Sequence, residues 1–310
     1  MWSNWPVQTD WQKENRVIRP LATVVAVLML GSCGRPAVGN QILLSTNQSG
    51  NWEVSVFDLD RSLVFPVTND PGTDTDPVWS PEGTKIAVAS NREGDFNPEG
   101  DFELFILDRD GSVVRQLTRN SSSDDQPKWS PDGELVAFRS DRTGDVELFV
   151  VPVDGTGVRQ VTDSPGEDWN PAWSPDGSSL AFASIRNGNW DVFVMRADGT
   201  EVRQVTDNPA DDWLPAWSPD GRSLAFASIR NGNWDVFVMR ADGTEVRQVT
   251  TGPNDDLQPV WSSDGDRLAF FRYEGGRAMV FLVALSSGQV SPTGLPGVPS
   301  DWLNTSTATK

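Results

Sequence analysis

Trp173-Ser174-Pro175-Asp176-Gly177 is one of five copies of a short phrase along this 310-residue chain. The others are Trp79-Ser80-Pro81-Glu82-Gly83, Trp129-Ser130-Pro131-Asp132-Gly133, Trp217-Ser218-Pro219-Asp220-Gly221 and Trp261-Ser262-Ser263-Asp264-Gly265. The spacing is near 44 residues, with one longer first step. A fixed period in the forties with turn chemistry in each unit predicts a repeat architecture, in which each unit buries its apolar face on its neighbours.

Residues 171–206 show what one unit contains. Pro171-Ala-Trp-Ser reads as a short strand, and Ser174-Pro-Asp-Gly177 as a turn in which proline presets φ and glycine takes the strained last place. Leu180–Ser184 is a second strand, Arg186–Asn189 a loop, and Asp191–Met195 a third strand. Ala197-Asp-Gly-Thr200 turns again before a fourth strand at Val202–Thr206. The central strands are apolar on both faces, as in sheets packed between sheets. Four short antiparallel strands per period make a propeller blade. Residues 215–250 repeat 171–206 with one change, Arg222 for Ser178, so blade duplication is recent. The longer first step has its own source: Glu93-Gly-Asp-Phe96 recurs as Glu99-Gly-Asp-Phe102.

The ends supply a sixth blade. Gly50-Asn-Trp-Glu-Val54 parallels Gly188-Asn-Trp-Asp-Val192, and Asp301-Trp-Leu-Asn304 parallels Asp212-Trp-Leu-Pro215. The expectation is an all-β, six-bladed β-propeller over residues 41–310, with the C-terminal segment giving the N-terminal blade its inner strand and a degenerate sixth phrase at Asn304-Thr-Ser-Thr. Closure of that kind leaves no open sheet seam.

Composition narrows the function. The chain has no histidine, which excludes His-based triads, proton shuttles and metal sites. A net charge of −19 argues against nucleic acid. Lys13, Arg16 and Arg19 precede an apolar run, Leu21–Leu30, that is too short to span a bilayer and fits a signal-peptide core. The run ends in Leu30-Gly-Ser-Cys33, which resembles a bacterial lipobox. The resemblance implies export, cleavage, lipidation of Cys33, the only cysteine, and a tether over residues 34–40. Gly34 is not aspartate, so in a bacterium with two membranes the outer membrane, facing the periplasm, is implied. The long basic leader suggests that translation starts near Val17.

The sequence Pro-x-Trp-Ser-Pro-Asp-Gly, then Leu-Ala-Phe, Asp-Gly-Thr and Arg-Gln-Val-Thr, resembles the WD-like propeller repeat of the TolB family over nearly all of residues 41–310. That resemblance implies a six-bladed periplasmic propeller that docks envelope proteins such as the peptidoglycan-associated lipoprotein Pal. This chain departs from it in leaving no room for an α/β domain before the propeller and in its lipid anchor. The fold carries over better than the Tol–Pal role.

Strand order sorts the unusual residues by face. Loops between second and third strands lie on the same side as the blade connections, and both turn motifs lie on the other. Trp52, Trp190 and Trp234 fall in such loops, and Trp169, Trp213 and Trp302 in connections, so all six belong to one candidate binding face. Trp79, Trp129, Trp173, Trp217 and Trp261 belong to inner strands and read as core. Each connection carries one acid: Asp74, Asp124, Asp168, Asp212, Asp256 and Asp301. A cation ring at the channel mouth is one reading; local capping of each turn is the favoured one. Arg92, Arg142, Arg186 and Arg230 recur in step with Glu103, Glu147, Asp191 and Asp235. They should pair across the hairpin or with the aspartates. Asp74, Glu53, Asp301 and Glu274 would then be the least compensated acids. The loop Asn91–Asp101, with Asp95, Glu99 and Asp101, could take calcium, though a solvated loop fits its spacing better.

Three function classes follow. The favoured one is a non-catalytic, monomeric envelope lipoprotein without cofactor, binding a protein partner through Trp, Arg142, Arg186 and Arg230. The second is binding of envelope carbohydrate or peptidoglycan by exposed indoles. The third is a carboxylate- or metal-dependent hydrolase or lyase; no Gly-x-Ser-x-Gly is present.

Overall fold

The structure is a computed structural model that describes residues 40–47, 50–92 and 100–303. These form six four-stranded antiparallel sheets, the blades of a six-bladed β-propeller. Blades 2 to 6 run in chain order, with innermost strands at Asp74–Trp79, Asp124–Trp129, Asp168–Trp173, Asp212–Trp217 and Asp256–Trp261. Blade 1 is composite. Its innermost strand, Val298–Leu303, comes from the end of the chain and pairs with Gln41–Thr46, followed by Glu53–Asp58 and Leu63–Pro66. The six innermost strands contact one another in a closed ring. Among the described residues no helix is long and apolar enough to cross a membrane.

The recurring phrases hold because each turn satisfies its own polar groups. In blade 4, Ser174 Oγ donates to Asp176 Oδ1 at 2.6 Å, the same oxygen accepts the Ser178 N–H at 3.0 Å, and Gly177 has φ 71°. In the second turn Asp198 Oδ1 accepts the backbone N–H and the hydroxyl of Thr200 at 2.9 and 2.6 Å. Gly199 is needed there twice over: its φ is 91°, and a Cβ would lie 2.5 Å from the carbonyl oxygen of Val161 in the preceding blade.

Apolar contact between blades supplies the core. A buried cluster at each junction joins the second and third strands of one blade to those of the next. Ala181, Val192 and Val194 of blade 4 meet Leu224, Phe226, Phe237 and Met239 of blade 5, for example. Polar contacts between blades reach main-chain atoms. Trp173, Trp217 and Trp261 donate their indole N–H to the carbonyls of Lys128, Ala172 and Ala216, each in the preceding blade, at 3.0–3.1 Å. The inner-strand tryptophans are therefore ties between blades as well as core. On the rim Arg115, Arg159 and Arg203 donate forward to the carbonyls of Asp154, Asp198 and Ala241 at 2.9, 3.2 and 2.8 Å.

The closing strand corrects one expectation. Trp302 pairs with Ile42 as Trp173 pairs with Leu180, counting from the hairpin that joins second and third strands. It is 6% exposed and packs on Ile42, Leu44 and Phe57 of blade 1 and on Val260, Ala269 and Val280 of blade 6. Trp302 is thus the sixth inner-strand tryptophan and does not belong to the connection face. Asp301 moves with it, to the place held by Val78, Lys128, Ala172, Ala216 and Val260. The place of the connection aspartate falls to Gly297. The Gly297 N–H donates to the Ala278 carbonyl at 3.0 Å, as the Asp168 and Asp212 N–H groups donate to Val146 and Trp190 at 2.9 and 2.8 Å. Asn304 and the degenerate sixth phrase, like Cys33, the tether up to residue 39 and the loop acids Asp95 and Glu99, lie outside the described residues.

Candidate functional site

Five blade junctions share one polar assembly, built by the residues that recur. The connection aspartate opens each innermost strand and has no more than about 1% of its side chain exposed. An arginine from the next hairpin reaches back to it: Arg92 to Asp74 at 2.9 Å, Arg142 to Asp124 at 2.6 Å, Arg186 to Asp168 at 2.9 Å, Arg230 to Asp212 at 2.8 Å. The arginine pairs with the aspartate and not across the hairpin. In blades 3, 4 and 5 its guanidinium lies over a stacked phenylalanine pair, as Arg186 does over Phe193 at 4.7 Å beside Phe182, and in blade 2 Arg92 lies over Phe105 at 5.0 Å. In blade 6 the place two residues earlier serves instead. Arg272, directly opposite Asp256 in the strand register, donates Nε and Nη2 to its two oxygens at 2.7 and 2.8 Å. Asp74 is therefore compensated, contrary to the sequence expectation.

The third-strand acid makes a separate lock. Its partner is the threonine that ends Gln-Val-Thr, or Pro-Val-Thr in blade 1: Thr68 Oγ1 donates to Glu53 at 2.6 Å, Thr162 to Glu147 at 2.5 Å and Thr206 to Asp191 at 3.1 Å. The same hydroxyl accepts the N–H of Val54, Leu148 or Val192 at 2.8 Å. Across each of these junctions the acid also faces the connection aspartate of the next blade. Burial, with that neighbouring carboxylate adding to it, pushes Glu103 and Glu147 up to about 7, and Asp191 and Asp235 up to about 6. Blade 6 has Met279 in the acid's place, so the junction it makes with Gly297 carries no carboxylate pair. Among the described residues no group of three or more acids or cysteine is arranged to hold a metal ion.

Replacing Arg186 with methionine tests how strongly this assembly is held. The change leaves Asp168 buried with its charge uncompensated, and a loss of about 3–5 kcal/mol is expected at pH 8. Denaturant unfolding measures it.

Above the junctions the connection face carries the feature that breaks the repetition. Trp190, from the loop between second and third strands of blade 4, lies between Trp169 and Trp213 of the innermost strands of blades 4 and 5. Ring centroids are 6.2 Å from Trp169 and 4.5 Å from Trp213, and Trp169 and Trp213 are 5.8 Å apart. Arg139 of blade 3 extends the cluster, with its guanidinium 3.8 Å from the Trp169 ring centre and Nη1 2.6 Å from Asp125 Oδ2. Burial raises Asp125 to about 7 against the pull of Arg139, with Asp76 adding to the rise. Trp52, Trp169 and Trp190 are half-buried, and Trp213 and Trp234 are buried. The connection face thus keeps five of the six tryptophans expected there, and the structure brings three of them together. Sequence reading missed Asp125 and Arg139. A column comparison would have found Arg139, because it stands where Ala89, Ala183 and Ala227 stand in other blades.

Residues 156–295 match the family model of the TolB beta propeller domain. Over that stretch the chain is similar to TolB-type β-propellers. Its fold aligns with the structure of a putative TolB from Agrobacterium tumefaciens at TM-score 0.68 and 22% identity, covering 86% of this chain and 94% of that one. TolB from Acinetobacter baumannii aligns at TM-score 0.71 and 20% identity, covering 85% of this chain and 66% of that one. The propeller also aligns with an oligogalacturonate lyase in complex with manganese, at TM-score 0.57 and 17% identity, over 81% of this chain and 73% of the other. At these identities the likeness is one of fold. No curated protein matches the sequence.

Proposed function

We propose that this chain is a non-catalytic, lipid-anchored envelope protein whose connection face docks a protein partner. The observation that carries the reading is the cluster of Trp169, Trp190 and Trp213 with Arg139 at the channel mouth. Tryptophan and arginine held rigid by packing are the side chains that dominate protein interfaces, and the TolB resemblance points the same way, towards an envelope partner of the Pal kind. The acids that a hydrolase or lyase would need are engaged in the repeated locks with arginine and threonine.

The anchor and the docking face fit together. Asn40, where the described chain begins, lies beside the turn after the third strand of blade 1: its carbonyl accepts the Leu59 N–H at 2.9 Å. That is the turn side of the ring, opposite the tryptophan cluster. A tether of seven residues from Cys33 reaches at most about 25 Å. Lipidation of Cys33 would therefore hold the turn side towards the membrane and leave the cluster facing away from it.

Affinity capture from detergent-solubilised envelopes tests the reading. The propeller should retain a protein that Trp190→Ala loses by at least tenfold, while Val202→Ser, an exposed change on the rim, keeps it. Retention on purified peptidoglycan with no protein captured would sink it.

A further inference from the structure

Among the described residues seven large apolar side chains stand open to solvent, each 37–49% exposed: Leu63, Val64, Val113, Val114, Val158, Val202 and Val246. All seven lie at the start of the outermost strand of their blade or directly before it. Val64, Val114, Val158, Val202 and Val246 fill one place of the repeat, just ahead of the residue that pairs with Val56, Ile106, Val150, Val194 or Val238. One exposed valine per blade needs no special account. The place before it does. There blades 3, 4 and 5 carry Gly157, Glu201 and Glu245, whereas blades 1 and 2 carry Leu63 and Val113. Blade 1 also has Phe65 where blades 2 to 5 have Arg115, Arg159, Arg203 and Arg247, so its edge reads Leu63-Val64-Phe65-Pro66, without a charge.

The two apolar rims adjoin. The blade 2 turn at Gly111 packs so closely on blade 1 that a Cβ there would lie 1.9 Å from the Val67 carbonyl oxygen. Four of the seven exposed side chains therefore share one corner of the turn side. The chain enters the propeller at the same corner. The Asn40 N–H points to Asp60 Oδ2 at 3.4 Å and its carbonyl accepts the Leu59 N–H at 2.9 Å, in the turn that leads into Leu63. Cys33 lies seven residues further back, within about 25 Å along the chain.

Neither edge suits an added strand. Pro66 brings no N–H, and the blade 2 edge is interrupted by a bulge that leaves Val114 out of the register. Nor does charge select a partner: Arg61, Arg109 and Arg115 are matched by Asp60, Asp108 and Asp110 in the same stretches of chain. Aliphatic side chains at the foot of a lipid tether suit the interfacial layer of a bilayer, which takes up apolar surface without any hydrogen-bond register. We infer that the corner formed by Leu63, Val64, Val113 and Val114 lies against the lipid surface. The inference depends on the lipidation of Cys33 proposed above. Two acyl chains hold the protein at the membrane, and the corner sets its tilt. In a ring of six, blades 4 and 5 stand opposite blades 1 and 2. The tilt therefore lifts Trp169, Trp190 and Trp213 to the part of the molecule farthest from the bilayer.

The test uses the full lipoprotein in vesicles of phosphatidylethanolamine and phosphatidylglycerol, with the acylated mass of Cys33 checked first. Val64→Cys, Val114→Cys, Val202→Cys and Val246→Cys are made one at a time and labelled with a nitrobenzoxadiazole fluorophore, to which acylated Cys33 is inert. Lipids brominated on the acyl chain quench any fluorophore that reaches them. Quenching at positions 64 and 114 should exceed that at 202 and 246 at least threefold. Adding Leu63→Ser and Val113→Ser, both exposed changes, should at least halve the quenching at 64 and 114 and leave the melting temperature unchanged. Equal quenching at all four positions would lay the ring flat and overturn the inference. No quenching at any position, with the acylated mass confirmed, would overturn it and leave the anchor standing. An unacylated Cys33 would remove the anchor and the inference together. Disulfide-linked dimers of unlabelled Val64→Cys protein, without lipid quenching, would make the corner a contact between copies and overturn it also.

Discussion

A chain ending at Gly297 is expected to lose the cooperative unfolding transition of the ring. The segment removed contains Trp302, which is 6% exposed and bridges blades 1 and 6. It also contains Asp301, whose Oδ2 accepts the Trp79 N–H of blade 2 at 2.8 Å and whose Oδ1 accepts the Trp302 N–H at 2.8 Å. Losing a buried tryptophan alone costs about 3–5 kcal/mol, a large share of the roughly 5–15 kcal/mol that holds a domain folded. The fully buried strand Gln41–Thr46 would in addition become an open edge. Circular dichroism during a denaturant titration, with size-exclusion chromatography, checks this. An unchanged midpoint and slope would show that the seam contributes nothing.

The second large effect is in pH. The third-strand acids and Asp125 have folded-state values above their ordinary ones: about 7 for Glu103, Glu147 and Asp125, and about 6 for Asp191 and Asp235. A raised carboxyl binds its proton more tightly in the folded state than in the unfolded one. Its stabilisation is complete below the unfolded value, near 4, and is lost as pH rises through the folded value. The turn aspartates such as Asp176 and Asp198 are lowered by their hydroxyl and N–H partners and act in the opposite sense, but only below about pH 4, and they are exposed. Between pH 5 and pH 8 the raised group dominates. Stability should fall by several kcal/mol, or about 10 °C in melting temperature, across that interval. Calorimetry at fixed ionic strength measures it. Glu103→Gln, neutral at every pH, should raise the melting temperature at pH 8 and leave it nearly unchanged at pH 5. A melting temperature that holds or climbs from pH 5 to pH 8 would contradict the assignment.

The blade count, the turns and the closure were legible in the sequence because they rest on local chemistry repeated five times. Ser-Pro-Asp-Gly and Asp-Gly-Thr each satisfy their own backbone, so their spelling is constrained wherever they occur. The register of the last strand was not legible. Tryptophan occupies two places in this repeat, one opening the innermost strand, as in Asp212-Trp213, and one ending it, as in Trp217-Ser218. The dipeptide Asp301-Trp302 spells the first and fills the second, because the buried site between Ile42 and Val260 needs a large side chain. Arg272 was missed for a related reason. The partner of Asp256 came from the strand register, two residues before the place where the other blades carry it. The candidate docking corner depends on a departure from the pattern at Asp125 and Arg139, and reading by pattern passes over a single departure.

The ties from Trp173, Trp217 and Trp261 run from a side chain in one blade to a carbonyl in the blade before it, and the rim contacts of Arg115, Arg159 and Arg203 to a carbonyl in the blade after it. A carbonyl is present whatever residue bears it. A blade copied by a duplication within the gene therefore arrives already able to grip its neighbour and be gripped, before any substitution adapts it. The near-identity of residues 171–206 and 215–250 fits such a history. In this chain heredity can add whole blades at once, and selection is left to refine the loops that distinguish them.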